Sequence, residues 1–127
     1  MTVIFTNGCF DILHRGHLEL LKHCASKGRV IVGLNSDDSV KGLKGPSRPY
    51  NGQEDRKIIL EACRYVDEVI IFNEQTPYNL IKSLNPDIIV KGGDYAAADV
   101  VGNDIAAIDI FNYIEGYSTT STLEKIK

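Results

Sequence analysis

The sequence predicts an α/β fold: a doubly wound parallel sheet of five strands, in the order 3-2-1-4-5, with helices on both faces. Three observations predict it. Short, nearly continuous apolar runs recur at 3–6, 29–35, 68–72, 87–90 and 108–114, the pattern of strands buried on both sides. Stretches of helical spacing lie between them, the alternation expected of a parallel sheet with crossover helices. Turn and cap residues such as Asn7-Gly8, Lys27-Gly28, Asn85-Pro86 and Glu115-Gly116 mark the joins. With right-handed crossovers, this order places a topological switch point between strands 1 and 4. A ligand is expected at their carboxyl ends.

Each element has its own warrant. The first strand, Val3-Ile4-Phe5-Thr6, is broken by Asn7-Gly8. From His17 onward, Leu18, Leu21 and Ala25 recur at helical spacing, with Leu20 widening the stripe. Lys27-Gly28 closes that helix with a cation and a glycine cap. The second strand is 29–35, and Ser36-Asp37-Asp38-Ser39 reads as a polar turn. Three Gly and two Pro within 40–52 predict a mobile loop that carries Lys41, Lys44 and Arg48. A helix over 53–64 is expected to bury Ile58, Ile59, Ala62 and Cys63, with Glu54 and Asp55 at its positive end. After the third strand, 68–72, Thr76 is expected to cap a helix that begins at Pro77 and runs to about Leu84. The fourth strand, 87–90, leads into Lys91-Gly92-Gly93-Asp94-Tyr95. A short helix around Gly102 is expected within 96–107, then the fifth strand at 108–114. Ser118-Thr119-Thr120-Ser121 then caps a last helix. The whole reads as one Rossmann-like domain over 1–127.

Bulk properties exclude several function classes. A chain of 127 residues with 43% hydrophobic residues supports one core and argues against disorder. No apolar run reaches membrane-spanning length, and the N-terminus leads directly into a strand, so no signal peptide is read. Cys9, Cys24 and Cys63 are scattered without CxxC spacing, which suits a reducing cytoplasm. A net charge of −3 argues against general nucleic-acid binding. Residues 41–56 nevertheless carry a local +2 against −5 for the remainder. A small basic patch on an acidic chain suits a polyphosphate ligand.

Chemistry concentrates at the strand ends. His14 and His17 flank Gly16 where the first strand hands over to the first helix. Such a junction offers backbone N–H groups and the positive end of a helix dipole to phosphate. Two imidazoles three residues apart can touch one phosphate. A zinc site is the weaker alternative, because zinc-binding helices place their His pair four apart around a Glu. Lys41 and Lys44 are expected to close over phosphates, as flexible point charges, or else to form a solvated surface. Arg56 is expected to hold a phosphate, with a surface ion pair as the plain alternative. Lys91, Gly92 and Asp94 form either a ribose- and base-binding turn or an ordinary turn. Ser118, Thr119 and Thr120 cap a helix in any case and can bind phosphate there.

The stretch Gly8-Cys9-Phe10-Asp11-Ile12-Leu13-His14-Arg15-Gly16-His17 resembles the HxGH signature of the cytidylyltransferase-like nucleotidyltransferases. Leu43-Lys44-Gly45, Ser47-Arg48-Pro49, Thr76-Pro77, Val90-Lys91-Gly92-Gly93-Asp94-Tyr95 and Ser118-Thr119-Thr120 resemble the heptose-phosphate adenylyltransferase branch. By contrast, 56–61 and 64–69 are similar to glycerol-3-phosphate cytidylyltransferases. The resemblance implies transfer of a nucleoside monophosphate from a triphosphate, ATP before CTP, to a sugar- or polyol-phosphate for cell-surface glycan synthesis. It implies nucleotide contacts at Thr6, Asn7, Gly8, Cys9, Phe10 and Gly16. It also implies acceptor contacts at Asp11, Arg48 and Arg56, Mg²⁺ carried on the phosphates rather than by side chains, and a cytoplasmic homodimer. A CTP-dependent glycerol-phosphate enzyme is the alternative. A non-catalytic nucleotide-binding module would not need both histidines and the loop lysines. A receiver-like domain would need an acidic cluster that only Asp11 begins to supply.

Overall fold

The computed structural model describes residues 1–93 and 95–112. Five parallel strands form one sheet in the order β3-β2-β1-β4-β5: β1 Val3–Gly8, β2 Arg29–Asn35, β3 Glu68–Phe72, β4 Ile88–Gly92 and β5 Ala107–Phe111. The expected topology is the observed one. Helix α1, Arg15–Ala25, follows β1; α2, Asp37–Lys44, and α3, Gln53–Glu61, follow β2; α4, Tyr78–Leu84, follows β3.

Alternation along the strands divides the core. On one face Ile4, Val30, Val32, Leu34 and Val90 pack with Leu20, Leu21 and Cys24 of α1 and Leu60 of α3. On the other, Phe5, Ile31 and Ile89 pack with Ile81 of α4 and Val100. Burial on both faces explains the continuous apolar strands. The register also opens the site. β1 pairs with β2 through Gly8, whereas its pairing with β4 covers only Ile4↔Ile88 and Phe5↔Ile89. Beyond these pairs the strands part, and the crevice lies at the switch point.

Four local expectations change. The polar turn and the start of the loop are instead helix α2, capped by the Ser36 side chain, which accepts from Ser39 N at 3.1 Å. Asp37 and Asp38 lie at its positive end and Lys41 and Lys44 at its negative end, and Gly45 stops it at φ 99°. Gly42, inside it, leaves room for the Gln75 side chain, which a Cβ would strike. Helix α3 buries Arg56 and Leu60, while Ile58 is 63% and Ile59 46% exposed. The inward face was taken by an arginine, so the apolar stripe read from the sequence is the wrong face. Thr76 makes no cap: Pro77 stands at the N-cap position and α4 begins at Tyr78. Finally, 96–107 holds only a 3₁₀ turn at Ala97–Asp99, and Gly102 turns the chain at φ 94° where a Cβ would meet Ile89 Cδ1 at 2.6 Å. The expected final helix lies outside the described residues.

Candidate active site

A cavity of about 490 Å³ occupies the crevice. Its floor is the end of β1 and the turn into α1: Thr6, Asn7, Gly8, Cys9, Phe10, Asp11, Gly16 and His17. One wall comes from α2 and the β3–α4 turn, with Leu43, Lys44, Gln75, Thr76 and Pro77. The other comes from β4 and the segment after it, with Lys91, Gly92, Tyr95, Asp99, Val100 and Val101.

The two histidines cap α1 reciprocally. Gly16 N donates to His14 Nδ1 at 3.1 Å, and His14 N donates to His17 Nδ1 at 3.2 Å. An imidazole nitrogen that accepts carries no proton, so each neutral ring carries its proton on Nε2. The rings stack with centroids 3.9 Å apart, and Phe10 lies 5.3 Å from the His17 ring. Burial, reinforced by His14 and Lys44, pushes His17 down to about 4, and burial lowers His14 as well. At neutral pH the pair is therefore uncharged, a pair of N–H donors rather than two cations. The reciprocal caps also occupy two of the backbone N–H groups that the sequence had offered to phosphate. Phe10 holds this turn in a left-handed conformation, φ 45°, an unfavourable one for a bulky side chain that persists where surrounding packing dictates it.

Residues 5–114 match the family model described as cytidylyltransferase-like. The chain belongs to the cytidylyltransferase-like family. It is 53% identical to the bifunctional protein HldE of Aliarcobacter butzleri, 54% to that of Sulfurimonas denitrificans and 47% to that of Helicobacter pylori, in each case over 98% of this chain. The chain spans only 27% of the length of these relatives. Its fold is that of a lipopolysaccharide core biosynthesis protein from Thermoplasma volcanium, with a TM-score of 0.75 at 22% identity, over 93% of this chain and 99% of the other.

Within this family member, the expected site residues divide sharply. The cavity gathers Thr6, Asn7, Gly8, Cys9, Phe10, Asp11, Gly16, His17, Lys44, Lys91 and Gly92. His14 supports it through the stacked ring. Lys41 is exposed outside the cavity wall, and Arg48 lies over the Tyr50 ring at 4.6 Å. Asp94, Ser118, Thr119 and Thr120 lie outside the described residues.

Two expected acceptor contacts have other tasks. Arg56 is 1% exposed. Its Nε donates to Asn51 O at 2.9 Å, Nη1 to Cys9 O and Asn35 O at 2.8 Å each, and Nη2 to Asp37 Oδ1 at 2.9 Å. Four of its five donors thus tie the ends of β1 and β2, the start of α2 and the 45–52 loop together, so it is not presented to a phosphate. Asp11, 5% exposed, accepts from Tyr50 N at 2.7 Å and Asn51 N at 2.8 Å. Both carboxylate oxygens anchor that loop rather than being presented to an acceptor. The contacts tie Tyr50 and Asn51, at the end of the expected 40–52 loop, to Asp11.

The sequence reading missed Leu20, Asn35, Leu43, Gln75, Thr76, Pro77, Asp99, Val100 and Val101 as lining residues. Thr76-Pro77 was read as a helix start and as a motif of the family resemblance, but not as part of the cavity wall. Nothing local marks Val100 and Val101, which the chain path brings to the cavity. Burial raises the Cys9 thiol above its usual range, with Lys44, Arg56 and Lys91 acting in the other direction. Among the described residues, no three His, Cys, Asp or Glu side chains are grouped to hold a metal ion, and no helix is long and apolar enough to cross a membrane.

Proposed function

We propose that this chain transfers an adenylyl group from ATP to the phosphate of a sugar, releasing pyrophosphate and forming an ADP-sugar for cell-surface glycan synthesis. The observation that carries the reading is the neutral, stacked His14–His17 pair at the start of α1, with Lys44 facing the same cavity. Resemblance to the heptose-phosphate adenylyltransferases and identity of about half with the HldE proteins support a heptose phosphate as the acceptor.

An acceptor phosphate oxygen attacks the α-phosphorus, an O–P bond forms, and the bond from the α-phosphorus to the bridging oxygen breaks. The pyrophosphate takes that electron pair. No base is needed, because the attacking oxygen is already ionised. Catalysis then rests on placement and on charge stabilisation along the line of displacement. Nε2–H groups of His14 and His17 stabilise the equatorial and leaving oxygens, and Lys44 neutralises the departing pyrophosphate. Mg²⁺ accompanies the triphosphate, held by its phosphates. Thr6, Asn7, Gly8, Cys9, Phe10, Gly16 and Gly92 form the nucleotide's bed. The protein works as a cytoplasmic homodimer, without nucleic-acid or membrane partners.

The test is pyrophosphate release from ATP or CTP with heptose 1-phosphate, other sugar phosphates and glycerol 3-phosphate. ATP with a sugar phosphate should be fastest, and His17→Ala should lower kcat by roughly 10²–10³, the scale for one lost charge stabiliser. A preference for CTP with glycerol 3-phosphate would transfer the chain to the other branch. Undiminished turnover in His17→Ala would overturn the mechanism.

A further inference from the structure

We propose that Gln75 and Asp99 bind hydroxyl groups of the acceptor's sugar and set the preference for a polyhydroxylated acceptor, and that Gly42 serves to seat Gln75. This rests on the transfer reading above and deepens it.

The polar side chains on the cavity walls divide by chemistry. Lys44 and Lys91 donate hydrogen bonds and accept none, as does the Nε2–H of His17. Gln75 and Asp99 can accept. A carboxylate facing a cavity that takes a triphosphate adds like-charge repulsion, so the partner it suits is a hydroxyl donor. The other carboxylate of the cavity, Asp11, is already engaged by the Tyr50 and Asn51 amides. Among the described residues the side chains of Gln75 and Asp99 make no hydrogen bond or ion pair, and both are exposed.

The seat of Gln75 is built into α2. Gly42 lies inside that helix, where a glycine weakens it. A Cβ there would strike Gln75 Nε2 and stand 3.1 Å from both Cδ and Oε1, so the amide lies against the bare backbone of α2. Ser39 Oγ donates to Glu74 O at 2.8 Å and ties the same helix to the same turn. Held in this way, the amide offers a donor and an acceptor from a fixed place and loses less freedom when a ligand binds. A hydroxyl is likewise both donor and acceptor.

Packing brings the two residues to one side of the sheet. Val100, next to Asp99, packs with Ile81 of α4, and Tyr78 Oη donates to Asp104 Oδ2 at 2.7 Å. The β3–α4 turn and the segment after β4 therefore meet on the face opposite α1 and its histidines. In-line displacement puts the entering group opposite the leaving one. With the pyrophosphate at the histidines and Lys44, the acceptor enters from the far side, and its sugar lies over this second face. Pro77 and Val101 line the same region and offer apolar surface to the carbon face of a sugar.

Gln75 and Asp99 are exposed, so truncating them leaves the core intact. With heptose 1-phosphate as the probe, Asp99→Ala should raise the acceptor KM about 10- to 100-fold, the scale of a hydrogen bond to a charged group, and Gln75→Leu about 3- to 10-fold, that of a neutral one. The calorimetric Kd of ATP with Mg²⁺, measured without acceptor, should change less than about threefold. Gly42→Ala should raise the acceptor KM as Gln75→Leu does. The double variant should be no worse than Gln75→Leu alone, because Gly42 acts through Gln75; additive losses would overturn the seat. Equal weakening of ATP would assign both residues to the nucleotide. A higher Mg²⁺ requirement in Asp99→Ala at unchanged acceptor KM would make Asp99 a metal ligand. Either result overturns the proposal, as does an unchanged acceptor KM in both single variants. Failure of the underlying reading is separate: wild-type protein would release no pyrophosphate with any sugar phosphate.

Discussion

Replacing Arg56 by methionine keeps an unbranched apolar stem and deletes the guanidinium with all of its donors. In the structure those donors satisfy three carbonyl groups, of Asn51, Cys9 and Asn35, and one carboxylate oxygen of Asp37. The Asn35 carbonyl is buried and the other two are part-buried; a buried carbonyl left without a partner costs about 1–3 kcal/mol, and a part-buried one less. Asp37 is 36% exposed, so water can solvate it and its share is small. Partial relaxation of the 45–52 loop lowers the total, and a loss of about 3–5 kcal/mol is expected, the range for breaking a buried charged network. With a typical urea slope of about 2 kcal/mol per molar, the unfolding midpoint should fall by about 2 M. The companion variant Asp37→Asn should move it by less than about 0.5 M, because only the exposed end of the network changes. Equilibrium urea unfolding followed by far-UV circular dichroism makes the measurement. A phosphate-binding arginine on the surface would leave the midpoint nearly unchanged, and such a result for Arg56→Met would refute the keystone role.

Other outcomes follow from the same geometry. His17 is held near 4 against an ordinary value near 6.5, so the unfolded chain takes up this proton first as pH falls. Stability from this residue is complete above about pH 6.5 and declines towards pH 4, by about 2–3 kcal/mol at 1.36 kcal/mol per unit. His17→Gln should flatten that acid limb in urea unfolding, and an unchanged limb would contradict the burial of the ring. Tyr50 and Asn51 amides both donate to Asp11 and should exchange slowly with deuterium even without nucleotide. Fast exchange there would restore the mobile-loop reading. Gly102→Ala combines a positive φ with a clash against Ile89 and should destabilise by about 2–4 kcal/mol in urea unfolding; a midpoint shift under 0.5 M would show that the turn can rearrange.

By itself the sequence determined the architecture. Apolar runs of strand length, alternating with amphipathic stretches, leave few ways to bury both faces of a parallel sheet, and the order 3-2-1-4-5 follows with the crevice between β1 and β4. It also placed His14, Gly16 and His17 at the first strand-to-helix junction, since a motif local in sequence is local in space. Helix α2 was legible too: Ser36, the acids at 37–38, the lysines at 41 and 44 and the Gly45-Pro46 stop are its signals, and the glycine count masked them. Tertiary structure alone decided the tasks of Arg56 and Asp11. Charged residues look alike in a sequence whether they meet a ligand or a backbone carbonyl 47 positions away. Their burial, and the exposure of Ile58 and Ile59 in place of Arg56, depend on which face of α3 finds unsatisfied carbonyls at the strand ends. The histidines' protonation was likewise hidden, because it comes from burial and from the backbone donors that each Nδ1 accepts. The meeting of Lys44 and Lys91, from distant parts of the chain, in one cavity exists only once β4 is laid beside β1.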